Sequence, residues 1–188
     1  EFYLRPAEVV APDLLGRVLV HRAPEGLIAL RLVEVEAYLG EGRDEASHAH
    51  RGRTTRNDQM FETPGRLYVY LSYGVHHCLN VVCEPAGRGA AVLLRGAEVL
   101  SGGSILSGRR GQSGTGIANG PGKIGQALAA DLSWDGRTLL RGDLGIWPGS
   151  SPPQIRRSSR IGISRGLEAQ LRFLDPLSAC VSRSRPAL

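Results

Sequence analysis

The chain of 188 residues is poor in cysteine, in lysine and in long apolar runs. Its three cysteines, Cys78, Cys83 and Cys180, are too few and too irregularly spaced for a disulfide framework or a zinc site. Buried free thiols are expected instead, which suits a reducing compartment. No run of about 18 apolar residues occurs, so neither a transmembrane helix nor a membrane partner is expected. No signal-peptide pattern opens the chain, and secretion is not expected. It begins at Glu1 rather than Met, and native residues are expected ahead of it. Only one of its 23 basic residues, Lys123, is a lysine. Schiff-base chemistry is thereby confined to Lys123 or the N-terminal amine. There is no internal repeat and nothing that separates two domains. Residues 1–188 read as one domain, long enough to bury a real core.

What the chain does carry is positive charge. A formal net charge of +5 and a pI near 9.6 favour an anionic partner. The other 22 basic residues (23 less Lys123) are arginine, whose fork suits bidentate phosphate contacts. Codon usage alone can also enrich arginine.

The most informative stretch is Glu34-Val35-Glu36-Ala37-Tyr38-Leu39-Gly40. Val33, Val35 and Ala37 alternate as on the inner face of a strand. A period of two puts Glu34, Glu36 and Tyr38 together on the opposite face. Two carboxylates beside an aromatic ring suit a pocket that holds a flat ring and activates a water. The ordinary alternative is a solvated pair with Tyr38 packed on a rim.

Residues 65–82 read as a hairpin. Leu67, Val69 and Leu71 alternate with Tyr68, Tyr70 and Ser72, and a second β-rich run ends in Val81-Val82. Gly74 supplies the positive φ of a tight turn. Tyr73 is then at the tip, a candidate wedge for prising bases apart or an aromatic resting on its own hairpin.

Elsewhere, residues 6–15 read as a helix interrupted by Pro12 and stopped at Gly16. Residues 17–21 and 27–38 read as strands around a turn at residues 24–26. Residues 40–66 are polar and irregular, and residues 89–100 form a further strand. Residues 101–122, rich in Gly and Ser, read as a mobile loop or poorly packed connector. Residues 123–132 read as a helix, residues 145–153 as a loop and residues 171–174 as a closing strand. Arg156, Arg157, Arg160 and Arg165 form a basic cluster.

Four blocks together resemble the alkyladenine (3-methylpurine) DNA glycosylases, monofunctional enzymes of base-excision repair. They are Val33 through Gly40; Asp44-Glu45-Ala46-Ser47-His48 with Thr55-Arg56-Asn57 and Met60-Phe61; Leu67-Tyr68-Val69-Tyr70 through Asn80; and Val92 through Glu98. A fifth, Gly120 through Leu128, is similar to a further family block. The blocks lie in family order across most of residues 4–175. The resemblance implies a mixed α/β (α+β) domain around a curved, largely antiparallel sheet with a projecting hairpin. It implies a monomer acting on double-stranded DNA that contains damaged purines, without cofactor or metal. The expected compartment is the bacterial cytoplasm and nucleoid, or a eukaryotic nucleus.

The same resemblance distributes the roles. Glu36 matches the general base, with Glu34 a weaker alternative, and Arg95 the arginine that helps hold the attacking water. An ion pair of Arg95 with Glu36 or Glu98 is the plainer reading. Tyr38 and Tyr70 match the stacking residues, and His48 a hydrogen-bond partner of the flipped base. Asn80 matches the residue that clashes with the 2-amino group of guanine. Tyr73 matches the intercalating residue, although Val75 stands where a larger Met is usual and His76 where an aromatic is usual. Lys123 matches a lysine placed for phosphate or structural contact. Arg109, Arg110, Arg156, Arg157 and Arg160 are expected on the DNA backbone. The expected substrates are 3-methyladenine, 7-methylguanine, hypoxanthine and ethenoadenine. Cationic alkylated purines gain a cation–π term between the rings and leave without further protonation.

Two other classes compete. Asp44, Glu45, His48, His50, His76 and His77 could serve a metal-dependent nuclease or hydrolase, but their spacing matches no compact zinc motif. A non-catalytic nucleic-acid-binding module needs only the basic clusters, yet gains nothing from a carboxylate that faces DNA.

Overall fold

The computed structural model describes residues 1–182. Helix α1, Ala7–Leu14, follows Pro6 and buries Ala7, Val10, Ala11 and Leu14, the spacing of one helical face. Pro12 lies inside it and removes a backbone donor, and the helix ends two residues later. Strands β1 (Val18–Ala23) and β2 (Gly26–Tyr38) then form a hairpin. β3 (Leu67–Ser72) and β4 (His76–Cys83) form the second hairpin, and β5 (Ala90–Ser101) follows. β6 (Leu144–Trp147), β7 (Arg156–Ser158) and β8 (Arg172–Leu174) are short.

All these strands belong to one sheet whose main path runs β3-β4-β5-β2-β1-β6, with β8 joining β2 to β7. Every pairing is antiparallel. The result is the mixed, largely antiparallel architecture that the sequence implies. β2 is its centre because it is long. β1 pairs with its first half, β8 with Glu34 to Glu36, and β5 with almost all of it.

Strict alternation fails in β2. Ile28, Leu30 and Leu32 join the main core, then Val35 and Ala37 do, which is a change of parity. A bulge between Leu32 and Val35 causes it, because an extra residue shifts the facing of all that follow. Val33, expected on the inner face, is buried but outside that cluster.

The two faces of the sheet are covered differently. On one face α1, α2 and α3 complete the main core; α2 is Gly103–Arg110 and α3 is Pro121–Leu128. α3 packs so closely on β4 that a Cβ on Gly125 would lie 2.0 Å from the carbonyl oxygen of His77. On the other face a smaller cluster joins Tyr68, Val82 and Ala91 of the sheet to Ala49, Met60 and Phe61 from the polar segment.

Three expectations are corrected. Residues 101–122 are not a loose connector, because α2 buries Leu106, and Ile117 and Ala118 are also buried. Left-handed Gly102 and Gly111 delimit that helix, and Arg109 and Arg110 sit in its last turn, where cations favour the helix dipole. The expected helix at residues 123–132 starts earlier, with Pro121, and stops where Ala129 turns left-handed. Part of the loop expected at residues 145–153 is β6, paired with β1.

Candidate active site

The bulge in β2 has a counterpart in β5. Glu34 is opposite Gly96 and Val35 is opposite Leu94, so Arg95 falls between ladder pairs. Its guanidinium lies between the two carboxylates. Nε donates to Glu34 Oε1 at 3.2 Å, and Nη1 donates to Glu36 Oε2 at 3.3 Å. Glu98, the other partner considered for Arg95, pairs with Arg31.

The two glutamates are equally buried, at 0 % exposure, but differ in what surrounds them. Glu34 accepts from Arg95, from Arg172 Nε at 2.7 Å, and from Ser182 through both its N–H (2.5 Å) and its hydroxyl (2.7 Å). Four donors thus hold Glu34, three on Oε1 and one on Oε2. Glu36 accepts from Tyr38 Oη at 2.9 Å, from Arg95, and from the Ile161 N–H at 2.7 Å. Three of about four positions are filled, which leaves one acceptor for a further donor. Burial raises the Glu36 carboxyl above its usual range, against the opposing effects of Arg95, the Ile161 N–H and Tyr38. Burial, then the neighbouring Glu36, holds the Tyr38 hydroxyl protonated.

Beside this network is a cavity of about 240 Å³. Tyr38, His48, Met60, Tyr68, Tyr70 and Asn80 line it, with residues 162–165 on its border. Glu36 does not line it and reaches it through Tyr38. His48 is edge-on to Tyr70, with centroids 4.6 Å apart, and its Nδ1 is 2.9 Å from Tyr68 Oη. Burial and then Arg56 lower the His48 pKa, which favours the neutral ring. Tyr68 stacks on Tyr70 at 5.6 Å. Asn80 is buried, and its amide nitrogen donates to Tyr68 O at 3.1 Å. The structure thus gathers Tyr38, His48, Tyr70 and Asn80 around one space.

Tyr73 stands apart at the hairpin tip, 90 % exposed. Tyr73 (φ 50°) and Gly74 (φ 70°) are both left-handed, the pairing of a type I′ turn, closed by the Val75 N–H on Ser72 O at 3.1 Å. Positive φ on an aromatic residue is strained.

The arginines expected on DNA divide into two groups. Arg160 is corrected outright. It is 4 % exposed and bound to Asp44, and no phosphate can reach it. Arg109 donates to Ala127 O and pairs with Glu25. Arg110 bonds Ile117 O and Gln126, so both arginines tie α2 to neighbouring segments. Arg156 and Arg157 are exposed, the latter with its guanidinium 4.9 Å from the Phe173 ring centroid. Lys123 is exposed, bonded to Asn119 Oδ1 at 2.7 Å, and outside the cavity lining. Among the described residues, no group of three or more His, Cys, Asp or Glu side chains is placed to hold a metal.

Sequence reasoning assigned no function to Tyr68 or Ser182, gave Asp44 only to the competing metal reading, and read Arg160 and Arg165 as part of a basic cluster rather than of the site. Tyr68 was within reach, since it shares a strand face with Tyr70. The others come from distant segments and left no local signal.

A family model described as Methylpurine-DNA glycosylase (MPG) matches residues 1–178. The chain belongs to that family. Relatives carry the provisional name 3-methyladenine DNA glycosylase. One from Corynebacterium glutamicum (strain R) is 46 % identical over 97 % of this chain and 86 % of its own. One from Streptomyces avermitilis is 46 % identical over 87 % of this chain and 80 % of its own. One from Methanocella arvoryzae is 43 % identical over 99 % and 96 %. Membership of the methylpurine-DNA glycosylases makes DNA the substrate and N-glycosyl hydrolysis the reaction class. Among the described residues no helix is long and apolar enough to cross a membrane.

Proposed function

We propose that this methylpurine-DNA glycosylase flips a damaged purine out of the duplex into the cavity and releases it by water attack on the sugar. It does so as a monomer, without forming a Schiff base. The carrying observation is the bond from Tyr38, which lines the cavity, to Glu36, which keeps one free acceptor position.

In this reading Glu36 takes a proton from the attacking water and its charge stabilises the cation-like sugar. Arg95 opposes the burial that raises the Glu36 carboxyl. Tyr38 and Tyr70 stack on the purine, and each stack returns about 1–3 kcal/mol of the cost of unstacking. With Tyr68 donating to Nδ1, His48 presents Nε2–H to an acceptor on the base. Asn80 restricts the pocket against guanine. The substrates are 3-methyladenine and 7-methylguanine, whose charge makes them good leaving groups, and the neutral bases hypoxanthine and ethenoadenine. Tyr73 fills the vacated stack, and Arg156, Arg157 and Lys123 meet phosphates.

The test is incubation with duplexes that carry one such lesion each, with abasic sites and strand nicks scored separately. Base release without nicking, undiminished in EDTA, is expected. Nicking that sodium borohydride converts to a trapped adduct would mean Schiff-base chemistry. Activity that EDTA removes and Zn²⁺ or Mg²⁺ restores would favour the hydrolase reading.

A further inference from the structure

The Arg160 side chain is 0 % exposed, and that of its partner Asp44 is 3 % exposed. The pair is bidentate, with Nη1 2.6 Å from Oδ2 and Nη2 2.7 Å from Oδ1. Nη1 also donates to Ala37 O at 3.0 Å. The N–H groups of Leu39 and Ala46 donate to the same carboxylate at 3.0 and 3.1 Å. The guanidinium plane is therefore fixed, and what it covers is the Tyr38 ring, with Cζ 4.7 Å from the centroid. Tyr38 lines the cavity and neither Arg160 nor Asp44 does. The ring thus meets a permanent cation on one face and also borders the space for the purine.

An aromatic face attracts a cation through its quadrupole. A guanidinium already held on one face draws π density toward itself and opposes a second cation across the ring. Asp44 neutralises the pair as a whole, but it bonds Nη1 and Nη2 and leaves the guanidinium carbon 4.7 Å from the ring centroid. The simple sandwich, in which both rings reward a charged base, is weakened on the Tyr38 side.

We propose that Arg160, held by Asp44, is a specificity-determining residue that lowers the pocket's preference for cationic purines and lets neutral damaged purines compete. The proposal rests on the reading of the cavity as a purine site. Arg160 also precedes Ile161, whose N–H bonds Glu36, so disturbing it should slow all substrates together. The ratio between substrates therefore carries the information, because a purely structural role would leave it unchanged.

The experiment uses the double variant Asp44→Asn/Arg160→Gln, which removes both charges and leaves no buried ion unpaired. Single-turnover release is measured for 7-methylguanine (cationic) and hypoxanthine (neutral) in the same duplex. The 7-methylguanine to hypoxanthine ratio is expected to rise about two- to fivefold over wild type, the size of a modest cation–π interaction. If circular dichroism shows the double variant unfolded, Asp44→Leu/Arg160→Met carries the same test, since apolar replacement of a buried pair is often tolerated. An unchanged ratio with both rates lowered in parallel, or a ratio shifted toward hypoxanthine, overturns the proposal. Wild type that releases neither base would instead overturn the reading of the cavity.

Discussion

The Tyr38 hydroxyl donates to Glu36 Oε2 at 2.9 Å, so the ring proposed to meet the purine and the carboxylate proposed to meet the water are one unit. Removing the hydroxyl while keeping the ring separates the two functions. Tyr38→Phe deletes a donor that favours ionised Glu36, whose pKa burial already raises. The active form is the carboxylate, so activity is lost as pH falls through this pKa. Its further rise in the variant moves the acid limb of the single-turnover rate to higher pH. A limb that stays in place, or moves to lower pH, would mean that the hydroxyl does not act on the base.

The glutamate with four donors and the one with three should fail differently. Glu36→Gln keeps the size of the side chain and its contact with Tyr38. It should retain affinity for lesion DNA and lose about 10²–10⁴-fold in single-turnover release. Glu34→Gln leaves buried Arg95 and half-buried Arg172 without their shared anion. It should cost about 3–5 kcal/mol of stability, read as a lower urea midpoint. A Glu36→Gln variant within threefold of wild type would remove Glu36 from the role of base.

Tyr73 is strained and almost wholly exposed, so its conformation is not maintained by packing. Tyr73→Gly should stabilise the fold, or leave it unchanged, by releasing on the order of 1 kcal/mol of positive-φ strain. The same change should reduce the flipped fraction of ethenoadenine, followed by its fluorescence, and slow release from intact duplex. Lesions in weakened pairs should suffer less, because less unstacking is needed. Equal losses on both would place Tyr73 outside the wedge role.

Salt should separate the arginines. Affinity for duplex should fall with a log–log slope of about −0.9 per phosphate neutralised. Arg156→Ala and Arg157→Ala should each make that slope shallower by about one unit or less. Arg109→Ala removes bonds to Ala127 and Glu25 and should lower thermal stability with the slope unchanged. A shallower slope for Arg109→Ala would put its side chain on DNA.

The strands around Glu36, Tyr38 and Tyr70 were legible because hydrophobic alternation is a local signal, and so was the tight turn at Gly74. The bulge at Val33 was not, since it depends on which residue of β5 lies opposite. Residues 101–122 were misread because Gly and Ser dominate the composition, whereas three buried side chains, Leu106, Ile117 and Ala118, anchor the segment. Arg160 was misread for the same reason in reverse. A basic cluster looks solvated until Asp44, 116 positions earlier, is known to face it. Partners at such separations leave no periodicity in either segment.

Glu34 is sealed by Ser182, 148 positions further along the chain. While the protein is being synthesised, Glu34 and Arg95 leave the ribosome long before that seal exists. At about 5–20 residues per second, the interval from residue 34 to residue 182 lasts on the order of ten seconds. Until residue 172 is made the carboxylate lacks three of its four donors, and until residue 182 it lacks the two from Ser182. The bulged centre of the sheet is consequently among the last parts to close, and a nascent chain released before this point holds the cavity-lining rings but not a finished anion site.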